Sequence, residues 1–559
     1  MFFEKVFYYT RKSVRIGGMV KQAIFHVENT EGVVELAQFL SNEGWQILSA
    51  NRTEEILKKA KIPVIREHAL VENNLYLNDT SSLIKRIIAS SFYTEPTDNY
   101  AQDSNIGLIC MNVVPAIHSI NSEKKLKSVT RPFNFYISTL LRNAFLNHEN
   151  IIILSDPADY KEAMIQLRTN SVNPEFKIRL AAKALNLVSA FDGGISSSLL
   201  MTSKDETDFM NYLTYPFEKQ FMLYGGANQH QHSCLYRFPG GGGTVSMLQK
   251  QQGKELSYNT VSDISFAWEQ ISMLATNLKN QFSVKSVNCD GYKFVTQFTP
   301  LTGTVFTIAV YNKSILGASL STNVLDSFKK TYTYDTKEIR HVIFASSSVI
   351  DEAVAQEISK CDFVAVISPG FTKEAKEILS AVKGLHLVSV SKINTSDYEM
   401  ELLSGGLLFQ TKDKTLFDVW NIKTKNRPGQ VFVDQMAFGT ILAMGSRSYC
   451  SVLLKNNCVV GISQACKSPI RSLDVALTEA ILYKQHNPPA DNSPENEALA
   501  DVLVCDAPIH LCDSLRRLAE AGLKAILQPG GSETDQELID FCNEHLISMI
   551  FTGMTHISH

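Results

Sequence analysis

The chain has 559 residues, 44% of them hydrophobic and 20% charged, the make-up of a globular protein with room for three or four domain-sized cores. Its 53 basic and 57 acidic side chains leave a formal charge of −4, so the overall balance calls for neither nucleic acid nor an anionic membrane surface as a partner. Ten scattered cysteines with no Cys-x-x-Cys pair point to reduced thiols and a cytoplasmic setting, and no apolar run reaches the length of a membrane span.

The opening MFFEKVFYYTRKSVRIGG lacks an h-region and a cleavage site, and residues 1–18 read as a short extension or a mis-assigned start, because the regular pattern begins at Met19. From there AIFHV (23–27) predicts a strand, 31–41 a helix, WQILSA (45–50) a strand and 54–60 a helix. IGLICMNVV (106–114) and IIILS (151–155) are continuous apolar runs of the kind buried in parallel sheets. Asp156 followed by Pro157 predicts an N-cap and the first helical position of the next helix. These elements alternate as in a doubly wound α/β domain. Farther on, Cys450, Cys458 and Cys466 read as small buried residues on strands, Gly240–Gly243 as a surface connection, and NPPADNSPENEA (487–498) as a polar surface loop.

Several segments carry a resemblance. NTEGVVELA (29–37), SDPADY (155–160) and RLAAKALNLVSAFDGGIS (179–196) come first, then FEKQFMLYGGANQHQ (217–231), GKELSYNT (253–260), SPGFT (368–372) and GGLLFQ (405–410). VLVCDA (502–507), QPGGS (528–532) and FTGMTHISH (551–559) close the chain. In order and spacing these resemble the bifunctional purine enzymes, AICAR transformylase/IMP cyclohydrolase. The resemblance implies an α/β protein with a methylglyoxal-synthase-like, doubly wound domain over 19–210, after the extension 1–18. Two cytidine-deaminase-like α/β lobes of the transformylase type follow over 211–559. It also implies 10-formyltetrahydrofolate as co-substrate, an AICAR- or IMP-like nucleotide as ligand, and a homodimer, since family members build transformylase sites at a dimer interface. No metal is expected, because the His-x-Glu and Pro-Cys-x-x-Cys signatures are absent.

Formyl transfer to the 5-amino group of AICAR needs a base and a stabilised oxyanion, because the amine lone pair is delocalised into the imidazole carboxamide. The family supplies an adjacent Lys-His, and AVYNKSILGAS (309–319) puts Tyr311 and Asn312 at those positions. Asparagine cannot take a proton. The arginine of the family's R-Y-G is Leu223 and that of its M-R is Thr555, which removes bidentate anion contacts. The Asp-Pro-x-x-x-Phe-Gly-Gly segment becomes 335–342, with Arg340, His341 and Val342 at its end. The Ser-Asn-Ala loop becomes Ser448-Tyr449-Cys450, and G-x-G-A-G-Q-x-S-R becomes 461–469. In the first domain the family's D-K-T-G lysine is Thr30, its S-T-G-G-T loop is 49–53, and ENNLYLNDT (72–80) lacks the expected cations. Asn134 and Leu146 replace an aspartate and a lysine, while Arg142 and Asn147 remain.

Tyr224, Asn228, His230, Gln231, Asn259, Asp506 and Asp513 survive at matched positions. His230 is the one matched group able to act as a base near neutral pH, and it is equally readable as a loop residue. Tyr224, Asn228, Gln231, Asn259 and Asp513 are expected to touch substrate; Asn259 and Asp506 also read as loop-holding hydrogen bonders. The leading reading is a degenerate paralogue that has lost one or both activities. A working enzyme using His230, His341 or Lys313, and an enzyme repurposed for another small molecule, are the alternatives, because fold alone does not decide activity.

Overall fold

The computed structural model describes residues 15–16, 19–66, 106–113, 135–169, 171–200, 209–238, 243–280, 282–298, 300–332, 339–390, 398–488 and 497–558. Segment 72–80, Asn134, 335–338 and 240–242 lie outside these residues. The chain divides into two compact units, Met1–Glu218 with Phe238–Gly240, and Lys219–Arg237 with Gly241–His559.

In the first unit, strands Gln22–Val27, Gln46–Ser49, Val64–Arg66, Ile106–Asn112 and Ile152–Leu154 form one sheet in which every pairing is parallel. Their spatial order is third, second, first, fourth, fifth, which reverses at the first strand as a doubly wound fold requires. Alternate residues of the first strand serve opposite layers. Ala23 and Phe25 pack with Val33, Leu36 and Leu40 of helix Val33–Asn42. Ile24 packs with Ile137 and Leu140 of helix Phe135–Leu146 and with Ala184 and Val188 of helix Pro174–Leu200. Cover on both faces explains the unbroken apolar runs. Asp156 caps as expected: its Oδ1 accepts from Ala158 N at 3.0 Å, opening a short 3-10 turn, Pro157–Asp159, before helix Tyr160–Arg168. Regular structure starts ahead of Met19, since Arg15–Ile16 pairs with Met19–Val20, and the helix expected over 54–60 begins earlier, at Asn51.

The second unit carries a 14-stranded sheet whose middle is an internal duplication. Hairpin Val305–Tyr311 and Ser314–Ser321 is followed by strands Val342–Ser346, Phe363–Ser368 and His386–Val390. Hairpin Ser451–Lys455 and Cys458–Ser463 is followed by Val502–Cys505, Ala525–Gln528 and Ser548–Phe551 in the same spatial order. The two lobes meet where Ser319 pairs with Cys458. Helices Tyr258–Leu278 and Gln430–Gly445 fill an inner core common to both lobes. Gln430–Gly445 is accordingly buried almost all round, from Val433 to Met444. The outer faces have separate cores, built with helices Val324–Thr331, Glu352–Ile358 and Lys373–Ser380 in one lobe and Pro469–His486, Asp513–Glu520 and Asp535–Glu544 in the other. Of the three cysteines expected on strands, Cys458 begins one, Cys450 is buried just before one, and Cys466 lies beyond one, half-buried.

Gly317 and Gly461 occupy equivalent places in the two lobes. A Cβ on Gly317 would lie 2.5 Å from the Thr331 carbonyl oxygen, and one on Gly461 would lie 2.3 Å from that of Ala476. Backbone yields little, so each helix settles on its hairpin only over a glycine. Gly317→Ala is expected to destabilise the protein by about 1–3 kcal/mol through overpacking, read as a lowered melting temperature. Gly406→Ala, with open space around it, should stay within about 0.5 kcal/mol of the parent; equal shifts for the two would contradict the close approach.

Candidate functional site

Of the residues matched by sequence, Tyr224, Asn228, His230, Gln231 and Asn259 come together at the start of helix Tyr258–Leu278, while Asp506 sits with the 448–450 loop and Asp513 apart from both. Ser257 caps that helix, its side chain accepting from Thr260 N at 3.1 Å. Just before the cap, the Leu256 carbonyl accepts from Tyr224 N at 3.1 Å. The turn that follows Tyr224 is held by its own amides: the Asn228 carbonyl accepts from Gly226 N and Gln231 N, each at 3.1 Å, and Gln231 Oε1 accepts from Asn228 N at 2.9 Å. Asn259 Nδ2 donates to the Ala227 carbonyl at 3.3 Å, tying this turn to the helix. Tyr224 and His230 are exposed on it. Gln231 Oε1 and the Asn228 carbonyl therefore serve the turn itself.

One helical turn past Asn259, the buried Asp263 reaches the second group of positions. Its Oδ2 accepts from Asn312 N and its Oδ1 from Lys313 N, both at 2.8 Å. Asn312 (φ 49°) and Lys313 (φ 55°) are the two left-handed residues of a tight hairpin closed by the pair Tyr311 and Ser314. A two-residue hairpin loop of type I′ requires φ > 0 at both central positions, which asparagine tolerates well. The equivalent hairpin of the other lobe turns the same way, at Asn456 (φ 50°) and Asn457 (φ 60°), with Asp501 Oδ2 accepting from Asn456 N at 3.2 Å. Burial pushes the Asp263 carboxyl above the usual carboxylate range, and the N–H groups of Lys313 and Asn312 draw it back.

The second lobe closes on the same turn. Gln464 Oε1 accepts from Ile315 N and its Nε2 donates to the Ile315 carbonyl, both at 3.0 Å. Ser448 Oγ donates to Asp506 Oδ2 at 2.6 Å and accepts from Ser558 N at 3.0 Å, so the 448–450 loop, Asp506 and the 556–558 segment are laced together. His556 is buried, with Nδ1 at 2.7 Å from Asp413 Oδ2 and Nε2 at 3.1 Å from the Leu416 carbonyl. Burial raises the Asp506 carboxyl, against the Ser448 hydrogen bond. Asp513 is exposed at the first position of helix Asp513–Glu520, and no hydrogen bond among the described residues links it to the helix Tyr258–Leu278 cluster.

Leu223 stands where the resemblance implies an arginine. Its side chain is 8% exposed and belongs to the inner apolar core, where a guanidinium would be desolvated. Thr555, Arg340 and His341 are all on the surface or close to it. Asp263 and Gln464 are the contributors that sequence reasoning passed over. An acid four residues beyond Asn259, on a helix whose buried residues are mostly apolar, was the available signal for Asp263.

In the first unit, the carboxyl ends of the strands carry a separate polar group. Asn112 Oδ1 accepts from Glu28 N at 2.9 Å and Asn29 N at 2.8 Å, shaping the loop that holds Thr30. Lys183 Nζ lies between Asp159 at 2.7 Å and Asp156 at 3.2 Å. Arg142 is engaged by Asp192 in an ion pair. Among the described residues no cluster of three His, Cys, Asp or Glu could hold a metal ion.

The chain is thus a doubly wound α/β unit followed by a duplicated two-lobe α/β unit. The chain matches the model of the AICARFT/IMPCHase bienzyme over residues 144–479. A bifunctional purine biosynthesis protein PurH of Clostridium acetobutylicum is 29% identical over 549 residues, spanning 97% of this chain and 100% of that protein. Proteins of the same name from Clostridium kluyveri and Brachyspira hyodysenteriae are 27% and 28% identical, each again over 97% of this chain and 100% of their own length. The chain belongs to the AICARFT/IMPCHase bienzyme family.

Asp263→Asn would set an amide NH2 against one of the two turn N–H groups. It is expected to destabilise the second unit by about 1–3 kcal/mol, the cost of a buried donor left unpaired, measured by denaturant titration. An unchanged midpoint would mean that the turn stands without the carboxylate.

Proposed function

We propose that this chain is a degenerate member of its family, one that keeps the fold and a nucleotide-sized recognition surface but has lost formyl transfer from 10-formyltetrahydrofolate to AICAR. The observation that carries this reading is the hairpin at Tyr311 and Asn312. At the family's Lys-His positions stand a phenol and an amide, and the backbone between them is committed to a tight turn locked by Asp263. Neither side chain supplies a cation or a base at neutral pH. Leu223 supports the same reading, since it serves the core in place of an anion contact. His230 remains the residue through which a rearranged site would work, together with Lys313, whose charge falls one position along from Asn312. In the first unit, Thr30 and Leu146 in place of lysines argue against ring closure to IMP.

We also propose a homodimer in a cytoplasmic setting, in keeping with ten free cysteines. Strands Tyr398–Leu403 and Gly406–Thr411 pair only with each other among the described residues, and expose Leu402 (85%), Leu408 (55%) and Leu403 (47%). A two-stranded hairpin of this kind is marginal in water, and an apolar patch on it suits a second copy. No helix among the described residues is long and apolar enough to cross a membrane.

Purified protein given AICAR and 10-formyltetrahydrofolate is expected to turn over at least about 10²–10⁴-fold more slowly than an ordinary family member, the usual effect of losing a placed acid–base group. Turnover within tenfold would sink the proposal. Tyr311→Lys with Asn312→His should stay near background, because groups that act as a unit are not restored singly. Leu223→Arg should destabilise by about 3–5 kcal/mol, as an uncompensated buried charge does. For the homodimer, sedimentation at micromolar concentration should show a dimer that Leu402→Glu with Leu408→Glu weakens; a monomer in the parent protein would refute it.

A further inference from the structure

His386 opens the parallel strand His386–Val390, which pairs with the sheet's edge strand Leu248–Gln252. The imidazole is 8% exposed, and its Nδ1 is buried with no hydrogen-bond partner. Gly253 leaves the edge strand directly against it: at φ 106° a Cβ there would lie 2.1 Å from Nδ1. A proton added at Nδ1 therefore meets packed backbone and no acceptor. Its surroundings are unfavourable to charge as well. Of the charged groups on the packed elements (Lys250, Lys254 and Glu255 on the edge strand and its turn, Lys373, Glu374, Lys376 and Glu377 on helix Lys373–Ser380, Lys383 in the connection), Lys250 is the one whose field reaches the ring. Lys250 Nζ is held by the Lys254 carbonyl at 2.8 Å, and Glu377 is turned toward Lys373 at 4.0 Å.

The edge strand is attached to the candidate site. It runs through Gly253–Ser257 into helix Tyr258–Leu278, so the same segment supplies the Leu256 carbonyl to Tyr224 N and Asn259 to the Ala227 carbonyl. Docking of the strand rests on few polar ties, chiefly Gln252 Nε2 to the Leu379 carbonyl at 3.0 Å and Gln251 Nε2 to Ser389 Oγ at 3.0 Å. A bulge between Lys250 and Gln252 interrupts its ladder.

We propose that His386 is an acid-sensitive latch: a proton on its buried imidazole releases the edge strand Leu248–Gln252 and loosens the Gly253–Ser257 segment that holds the 224–231 turn. Burial, aided by Lys250, draws the imidazole below its ordinary value, while a released ring titrates near about 6.5. The sign follows from that difference. The latch is fully engaged above the released value and weakens as pH falls through it, levelling off below the folded value, with tenfold in the release equilibrium for each unit of separation.

Hydrogen exchange on the full chain, corrected for the intrinsic rate at each pH, tests this. Between pH 7.5 and 5.5 peptides covering 248–257 should lose protection several-fold, up to the limit of about tenfold that one proton with a released value near 6.5 allows, while 525–528 in the other lobe stays constant. His386→Leu and His386→Asn should each abolish the pH dependence. Gly253→Ala should expose the same peptides at pH 7.5 by pushing a methyl into the ring. Constant protection of 248–257 in the parent protein, or an equal acid response in both His386 variants, would overturn the latch; should neither variant fold, a flat profile in the parent alone would do so.

Discussion

Two backbone N–H groups in the left-handed turn at Asn312 and Lys313 lie beyond the last hairpin pair, and the Asp263 carboxylate takes both at 2.8 Å. A carboxylate accepts strongly and in two directions, so a single side chain fixes the register of the turn against helix Tyr258–Leu278. From that point the arrangement propagates. Ile315, next to the turn, is bracketed by Gln464 of the other lobe on both its N–H and its carbonyl. Asn259, one helical turn back, holds the 224–231 turn by the Ala227 carbonyl. Loops from distant parts of the sequence are thus referred to one helix, and they stay referred to it whether or not they still carry chemistry.

The duplication explains why this helix is in place. Each lobe has a hairpin with a left-handed pair at its tip, an acid that accepts from the tip, and a glycine at the same position of its second strand. Both lobes lean on one inner core, so helices Tyr258–Leu278 and Gln430–Gly445 are buried from two sides. Edge elements lack that support. The strand Leu248–Gln252 has one neighbour and a bulge, and the hairpin Tyr398–Thr411 has no neighbour beyond itself among the described residues. Stability of this kind is uneven, highest where two lobes share a helix and lowest at the sheet margins.

Much of the first unit was legible in the sequence because its strands are covered on both faces and read as unbroken apolar runs: Ile106–Asn112 and Ile152–Leu154 fall inside the segments assigned to them. Asp156 was legible for a local reason, the proline that follows it. The internal repeat was also in the letters, as AVISPG (365–370) beside AILQPG (525–530), but a duplication of about one lobe is masked when only such short strings remain alike. Asp263 was only half legible: an acid one helical turn beyond Asn259 was there to be noticed, but its partners are backbone N–H groups some fifty residues away that no pattern in the sequence announces. The burial of Leu223 was hidden for a related reason. On strand Glu218–Leu223 its neighbours Phe221 and Met222 are the exposed ones, so hydrophobicity alone gave no face.

Loss of anion-binding and acid–base groups need not weaken a scaffold of this design, and several positions suggest the opposite direction. A leucine buried at 223 contributes about 1.5–3 kcal/mol of apolar burial, where an arginine would need a bound anion to be tolerated. Asparagine at 312 suits a left-handed turn, a conformation costing most residues roughly 1–2 kcal/mol. Asn228 donates from its N–H and its Nδ2 to Gln231 Oε1, so the two side chains brace their own turn. Sites built for catalysis hold strained or unpaired groups that a ligand relieves. Here Leu223 lies in the apolar core, the Asn312 N–H is taken by Asp263 and the Asn228 N–H by Gln231, so at these positions the fold is held by contacts within the chain and draws no stability from a bound ligand.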